Sequence, residues 1–166
     1  MLEIARKRLG ASADLHCQNI LSLSLPGAYD VAISQGGVWY VARSQAGEQF
    51  LESHLVEEAE NAAALARVAQ VLVPGGMLLV GIQDEHRDFA GLKLDGGAEY
   101  SQSVSYRGPL IEKDYFVEKG GETLAYQHCT FRRFSPAEGE RLLAKAGFAD
   151  LGPDESGLFR VFERLP

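Results

Sequence analysis

Two stretches decide the fold: Tyr29-Asp30-Val31-Ala32-Ile33-Ser34, and further on Val71-Leu72-Val73-Pro74-Gly75-Gly76-Met77-Leu78. The first is a short apolar run stopped by Gln35-Gly36-Gly37, which predicts a buried strand. Between the two, the Glu- and Ala-rich stretch from Leu55 to Leu72 sets Leu65, Val68, Ala69 and Leu72 on one helical face, with Glu57, Glu58, Glu60 and Arg67 elsewhere. Pro74-Gly75-Gly76 ends that helix, and Met77 to Gln83 reads as a second buried strand. Strand, helix, strand is a βαβ unit, which builds a parallel sheet through a right-handed crossover and places the chain in the α/β class.

Upstream, Leu2, Ile4, Ala5 and Leu9 are spaced for a short helix, with Lys7 and Arg8 in its last turn and Gly10 to stop it. Leu15 to Ile20 reads as a short extended piece, followed by Leu21, Leu23 and Leu25 alternating with serines and a Pro26-Gly27 turn. Downstream, the period changes to two: Tyr100, Gln102, Val104 and Tyr106 face one way, and Ser101, Ser103 and Ser105 the other. This predicts antiparallel sheet inserted at about 98–134, with a Lys119-Gly120-Gly121-Glu122 turn joining Asp114–Glu118 to Thr123–Arg132. Ser135-Pro136-Ala137-Glu138 is a capping box with Pro at the first helical position, opening a helix through Leu142, Leu143 and Ala146 that Gly147 closes. Two extended segments, around Phe148–Leu151 and Leu158–Arg164, end the pattern.

The 166 residues are 46% hydrophobic and 23% charged, with 18 Gly against 6 Pro, which excludes disorder and collagen and suits one domain, 1–166, with one core. Sixteen basic against 23 acidic side chains give a net charge of −7, so nucleic acid is not an expected partner. No apolar run reaches the 18 or so residues of a membrane span, and the start Met-Leu-Glu-Ile-Ala-Arg-Lys-Arg lacks the apolar stretch of a signal peptide. With Cys17 and Cys129 far apart, the expectation is a reducing, cytoplasmic location without a membrane partner. His16 beside Cys17 and His128 beside Cys129 alternate across a strand, so they make poor metal pairs, and no metal site is expected. No Gly-x-Ser-x-Gly elbow is present, which counts against hydrolase chemistry.

Four ordered segments resemble the class I S-adenosylmethionine (SAM)-dependent methyltransferases: Met1-Leu2-Glu3-Ile4-Ala5-Arg6-Lys7-Arg8; Gln18-Asn19-Ile20 ahead of Tyr29–Ser34; Val71–Leu78; and Phe134-Ser135-Pro136 ahead of Leu142-Leu143-Ala144-Lys145-Ala146-Gly147-Phe148. The resemblance implies a Rossmann-like sheet with an inserted antiparallel region, SAM as cofactor and a small-molecule methyl acceptor. It also exposes a gap, because the family's first strand, its Gly-rich loop and its second strand with a terminal acid all precede the helix that opens this chain. The expectation is therefore an N-terminally truncated or mis-started product, inactive in this form, in which Met1 corresponds to an internal methionine.

On the same resemblance, Asn19 and Ile20 fall where relatives hold the adenine, Asn19 standing in place of an acid. Ser34, Gln35 and Gly36 end a strand whose carboxyl edge borders the ligand crevice in open α/β sheets. Gln83, Asp84 and His86 leave the next strand at that edge, so His86 or Asp84 is a candidate to take a proton from the acceptor. Trp39, Tyr40, Tyr106 and Tyr115 are candidate acceptor contacts, the inserted sheet serving as a lid. Methyl transfer is an in-line displacement that proximity and orientation can drive, so the absence of a triad says nothing against it. Two other readings stay open. One is a noncatalytic interaction protein whose incomplete sheet pairs with another chain, a homodimer by strand exchange being its signature. The other is a small-molecule-binding module that needs no SAM.

Overall fold

The computed structural model describes residues 2–166; the expectation on Met1 lies outside them. Helix α1 (Leu2–Leu9) is followed by β1 (Tyr29–Ser34), β2 (Trp39–Arg43), β3 (Gln49–Ser53), α2 (Glu58–Val71) and β4 (Leu72–Asp84). Then come β5 (Phe89–Lys93), β6 (Glu99–Arg107), β7 (Leu110–Lys119), β8 (Glu122–Phe134), α3 (Pro136–Lys145), β9 (Phe148–Pro153) and β10 (Phe159–Arg164). The ten strands form one open sheet in the order β5-β6-β7-β8-β3-β2-β4-β10-β9, with β1 also on β4.

Strand β4 is the hub. Its first half pairs in parallel with β1 (Val31 opposite Met77, Ile33 opposite Leu79), and its end pairs in parallel with β2 (Val41 opposite Ile82). Its other edge pairs antiparallel with β10. Between β1 and β2 the Gln35 side chain lies over Gly81, and a Cβ there would have to push that flexible side chain aside. Gly76 is fixed by backbone: where β4 bulges against β1, a Cβ on it would lie 2.8 Å from the Val73 carbonyl oxygen.

Burial follows the pleat. Trp39 and Val41 of β2 face α2 and α3 and join Leu65, Val68, Leu78, Val80, Phe134, Leu143 and Phe148 in the main core. Each such fully buried side chain contributes about 1.5–3 kcal/mol. Tyr40 and Ala42 face the opposite way and meet Ile111 and Phe131 in a smaller cluster under the inserted sheet. The capping box of α3 is formed from both sides, Ser135 Oγ accepting from the Glu138 N–H and Glu138 accepting from the Ser135 N–H at 2.8 Å.

Two sequence expectations are revised and one element is added. Leu15 to Ile20 forms no strand: Gln18 hydrogen-bonds the Ser24 backbone through both amide atoms at 2.8 Å, and Asn19 caps a turn of 3₁₀ helix at Ile20–Ser22. The antiparallel region begins earlier than 98, at β5. A further hairpin, β2 and β3 around Ser44–Gly47, lies between β1 and α2, with the Gly47 N–H donating to the Ser44 carbonyl at 2.9 Å.

Candidate functional site

The β2–β3 hairpin sets Tyr40 directly opposite Glu52, and β3 sets Glu52 directly opposite Arg133 of β8. Three polar side chains therefore stand in one cross-strand row on the face that carries the smaller apolar cluster. Glu52 is fully buried. Arg133 Nε donates to Glu52 Oε1 at 2.8 Å, and Nη2 lies 2.7 Å from the same oxygen. The guanidinium is held between the rings of Phe50 (4.7 Å) and Tyr106 (4.9 Å) and lies 3.6 Å from Glu85 Oε2.

His86, just past β4, folds back onto this row. Its Nε2 lies 2.8 Å from the Tyr40 hydroxyl and 3.6 Å from Glu52 Oε2, and its Nδ1 lies 3.2 Å from Lys113 Nζ. The Tyr106 hydroxyl donates to the His86 carbonyl at 2.8 Å, and the imidazole packs 5.0 Å from the Phe131 ring. Burial, aided by the positive charges of Lys113 and Arg133, lowers the His86 pKa to about 4, so the ring is neutral at neutral pH. Burial likewise raises Glu52 against the pull of Arg133, and lowers Lys113. The Tyr40 phenol is pushed far up by burial and by the Glu52 carboxylate beside it.

Glu85, His86, Arg87, Asp88, Tyr106 and Arg133 line a polar cleft of about 400 Å³ at the carboxyl end of β4. A second, apolar cleft of about 320 Å³ lies on the other side of the molecule, between β1, the 3₁₀ turn and α2. Its walls include Ile20, Leu23, Val31, Ile33 and Val38.

The expected site residues are divided between these places. His86 and Tyr106 line the polar cleft; Tyr40 is buried behind His86, and Tyr115 lies farther back, its ring centroid 4.6 Å from Lys113 Nζ. Asp84 is turned to the surface and pairs with Arg43 at 3.2 Å. Trp39 is in the helix-side core, its indole N–H donating to Asn61 Oδ1 at 2.8 Å. Ile20 and Ser34 border the apolar cleft. Asn19 Oδ1 accepts from the Leu21 N–H at 2.9 Å, and Ser34 Oγ donates to the Trp39 carbonyl at 2.7 Å. Gln35 lies over Gly81, and Gly36 holds a φ of +60° in the turn that follows. Glu52, Lys113 and Arg133 escaped sequence reading because only strand register assembles them. The available signal was the Ser44-Gln45-Ala46-Gly47 turn between two apolar runs, which marks a hairpin.

No protein-family model and no curated protein matches the chain by sequence. Solved structures match by shape. A S-adenosylmethionine-dependent methyltransferase from Clostridium acetobutylicum superposes with a TM-score of 0.66 at 14% identity, over 98% of this chain and 69% of that one. The chain has the class I methyltransferase fold. A SAM-bound amino pentose methyltransferase from Micromonospora echinaspora, of calicheamicin biosynthesis, gives a TM-score of 0.67 at 20% identity, over 98% of this chain and 69% of its own. DesVI from Streptomyces venezuelae gives 0.63 at 23% identity, over 99% and 70% respectively. The match takes in the inserted sheet as well as the βαβ unit, since nearly the whole chain is covered.

Proposed function

We propose that this chain serves SAM-dependent methylation of a small molecule, and that the polar cleft is where the acceptor binds. One observation carries the reading: on a methyltransferase fold, a neutral, half-buried imidazole and an arginine held by a buried glutamate border a cleft at the carboxyl end of β4. That edge is where open α/β sheets bind ligands. The names of the solved neighbours, an amino pentose methyltransferase and a sugar N-methyltransferase from Streptoalloteichus among them, support a polar acceptor.

Bound SAM would supply the methyl group. The residues present fit part of it. The cleft bordered by Ile20 and Ser34 offers apolar walls that suit an adenine ring, with Asn19 at its neighbouring turn, while a Gly-rich loop and a ribose-binding acid have no counterpart among the described residues. The chain's own part is acceptor handling: Tyr106 and Arg133 orient, and the proton lost on methylation goes toward His86. Asp84 is the weaker proton acceptor because Arg43 and solvent already satisfy it. Calorimetric titration with S-adenosylhomocysteine tests the reading. Saturable micromolar binding, about −8 kcal/mol, is expected; a folded chain that binds none would overturn it.

A noncatalytic reading rests on a different observation. Strand β1 pairs with β4 alone, and Tyr29, Val31 and Ile33 on it are exposed, an edge open to a strand of another chain. A concentration-dependent dimer that binds no S-adenosylhomocysteine is its signature.

A further inference from the structure

Both nitrogens of His86 are already engaged. Nδ1 faces Lys113 Nζ at 3.2 Å, and Nε2 faces the Tyr40 hydroxyl at 2.8 Å, with Glu52 Oε2 at 3.6 Å. A neutral imidazole has one donor and one acceptor, and an ammonium has only donors. Lys113 as an ammonium must donate to Nδ1, which places the ring proton on Nε2, aimed at Tyr40 and Glu52. Glu52 Oε2 is fully buried and accepts no hydrogen bond from the arginine that holds the other oxygen. Its strand register sets it directly opposite Tyr40. Lys113, His86 and Tyr40 thus run in sequence beside a sealed carboxylate, whose Oε2 has no hydrogen-bond partner and lies 3.6 Å from His86 Nε2.

We propose that Lys113, His86, Tyr40 and Glu52 form a proton wire that carries the proton lost by the acceptor to the buried Glu52 carboxylate. This inference rests on the acceptor-site reading above. The step balances as a chain of single transfers. The acceptor's X–H bond breaks as its electron pair attacks the methyl carbon, and the proton goes to Lys113 Nζ as Nζ releases one of its own to His86 Nδ1. The ring gives its Nε2 proton to the Tyr40 oxygen, and Tyr40 gives its hydroxyl proton to Glu52 Oε2. Lys113 ends as an ammonium again, His86 and Tyr40 neutral, and Glu52 protonated beside Arg133. The transfer leaves the ring proton on Nδ1, so the row resets in reverse: Glu52 returns its proton through Tyr40 to Nε2 as Nδ1 gives its own back to Lys113, which passes one to solvent. Glu52 touches no acceptor in this scheme and acts through the other three, so it is a positioning and storage residue. Lys113, 7% exposed beside the Tyr115 ring and set behind the cleft-lining His86, is the entry point of the scheme.

The wire is tested without cofactor or acceptor. With ¹⁵N-labelled histidine, the tautomer of His86 is read by NMR at pH 7 in the full chain, His86 being assigned by a His86→Gln variant. The groups that bear on it are Lys113 and Arg133 from the inserted sheet, Tyr40, Glu52 and His54 from the β2–β3 hairpin, and Glu85 beside it. The expected result is a ring proton on Nε2 whose population shifts in Glu52→Gln and again in Lys113→Met, although these two side chains lie on opposite nitrogens. Tyr40→Phe, which cuts the middle of the row, shifts it too and serves as the second variant if Glu52→Gln fails to fold. A ring doubly protonated at pH 7, or a tautomer indifferent to Glu52→Gln and to Tyr40→Phe in folded protein, overturns the wire. Where S-adenosylhomocysteine binds, Glu52→Gln lowers kcat about 100-fold with KM unchanged. Where it does not bind, the methyltransferase reading falls, while the tautomer result still decides the wire.

Discussion

Trp39 and Tyr40 are neighbours on one strand, yet they enter opposite chemistries. Trp39 points into the helix-covered face, where Leu65, Val68, Phe134, Leu143 and Phe148 close around it and its single polar atom is satisfied by Asn61. Tyr40 points into the face under the inserted sheet, where buried Glu52 and Lys113 and half-buried His86 and Arg133 surround a small patch of Ile111 and Phe131. The first face gains stability from area removed from water. The second buries charge, for which desolvation offsets much of the attraction, so its stabilising value is small and its capacity for proton transfer is large.

That contrast can be broken most directly with one substitution on each side. Leu65→Ala on the helix-covered face and Arg133→Met on the open face are each expected to cost about 3 kcal/mol in denaturant unfolding. They differ in pH dependence. The Leu65→Ala loss is constant with pH, whereas the Arg133→Met loss is largest above neutrality and shrinks on acidification, because protonation removes the uncompensated charge on Glu52. Equal pH behaviour would mean that the Arg–Glu pair is not what the open face relies on.

Trp39→Phe keeps most of the apolar contact but leaves Asn61 Oδ1 without its donor, and about 1–3 kcal/mol of destabilisation is expected. Tyr40→Phe, one residue along, should cost less than Trp39→Phe, since it removes a hydroxyl from a row that has other partners.

Acidification separates the faces further. His86 has a folded pKa of about 4 against 6.5 when unfolded, so the unfolded chain binds the proton first, and stability falls as pH drops from 6.5 toward 4. His54, also lowered by burial, adds in the same direction, and the raised Glu52 opposes both. Comparing His86→Gln with the parent isolates one group: the variant should lack a slope of about one proton across that window. The smallest effect is expected on β1, where Val31→Thr should change stability by no more than about 0.5 kcal/mol because the side chain is 48% exposed.

What sequence reading reaches follows the same division. The βαβ unit, the capping box at Ser135 and the alternation from Tyr100 to Tyr106 are local, and each appears in the structure close to where the residues place it. His86 was legible as a group leaving a strand at the ligand edge. Its partners were not, since Tyr40, Glu52, Lys113 and Arg133 come from four strands and meet only through register. Leu15–Ile20 failed in the opposite sense: an extended-looking run becomes a strand only when a neighbour is there to accept its hydrogen bonds, and Gln18 instead ties the segment to Ser24.

The central claim is that the polar cleft accepts a methyl acceptor and that His86 moves its proton. Transfer of labelled methyl from SAM to a panel of small amines and polyhydroxyl compounds, compared between the parent chain and His86→Ala, tests it most directly. The account predicts transfer by the parent that drops about 100-fold in His86→Ala, with S-adenosylhomocysteine affinity unchanged. Transfer that is indifferent to His86, or a folded chain that binds the product and methylates nothing in the panel, would contradict it.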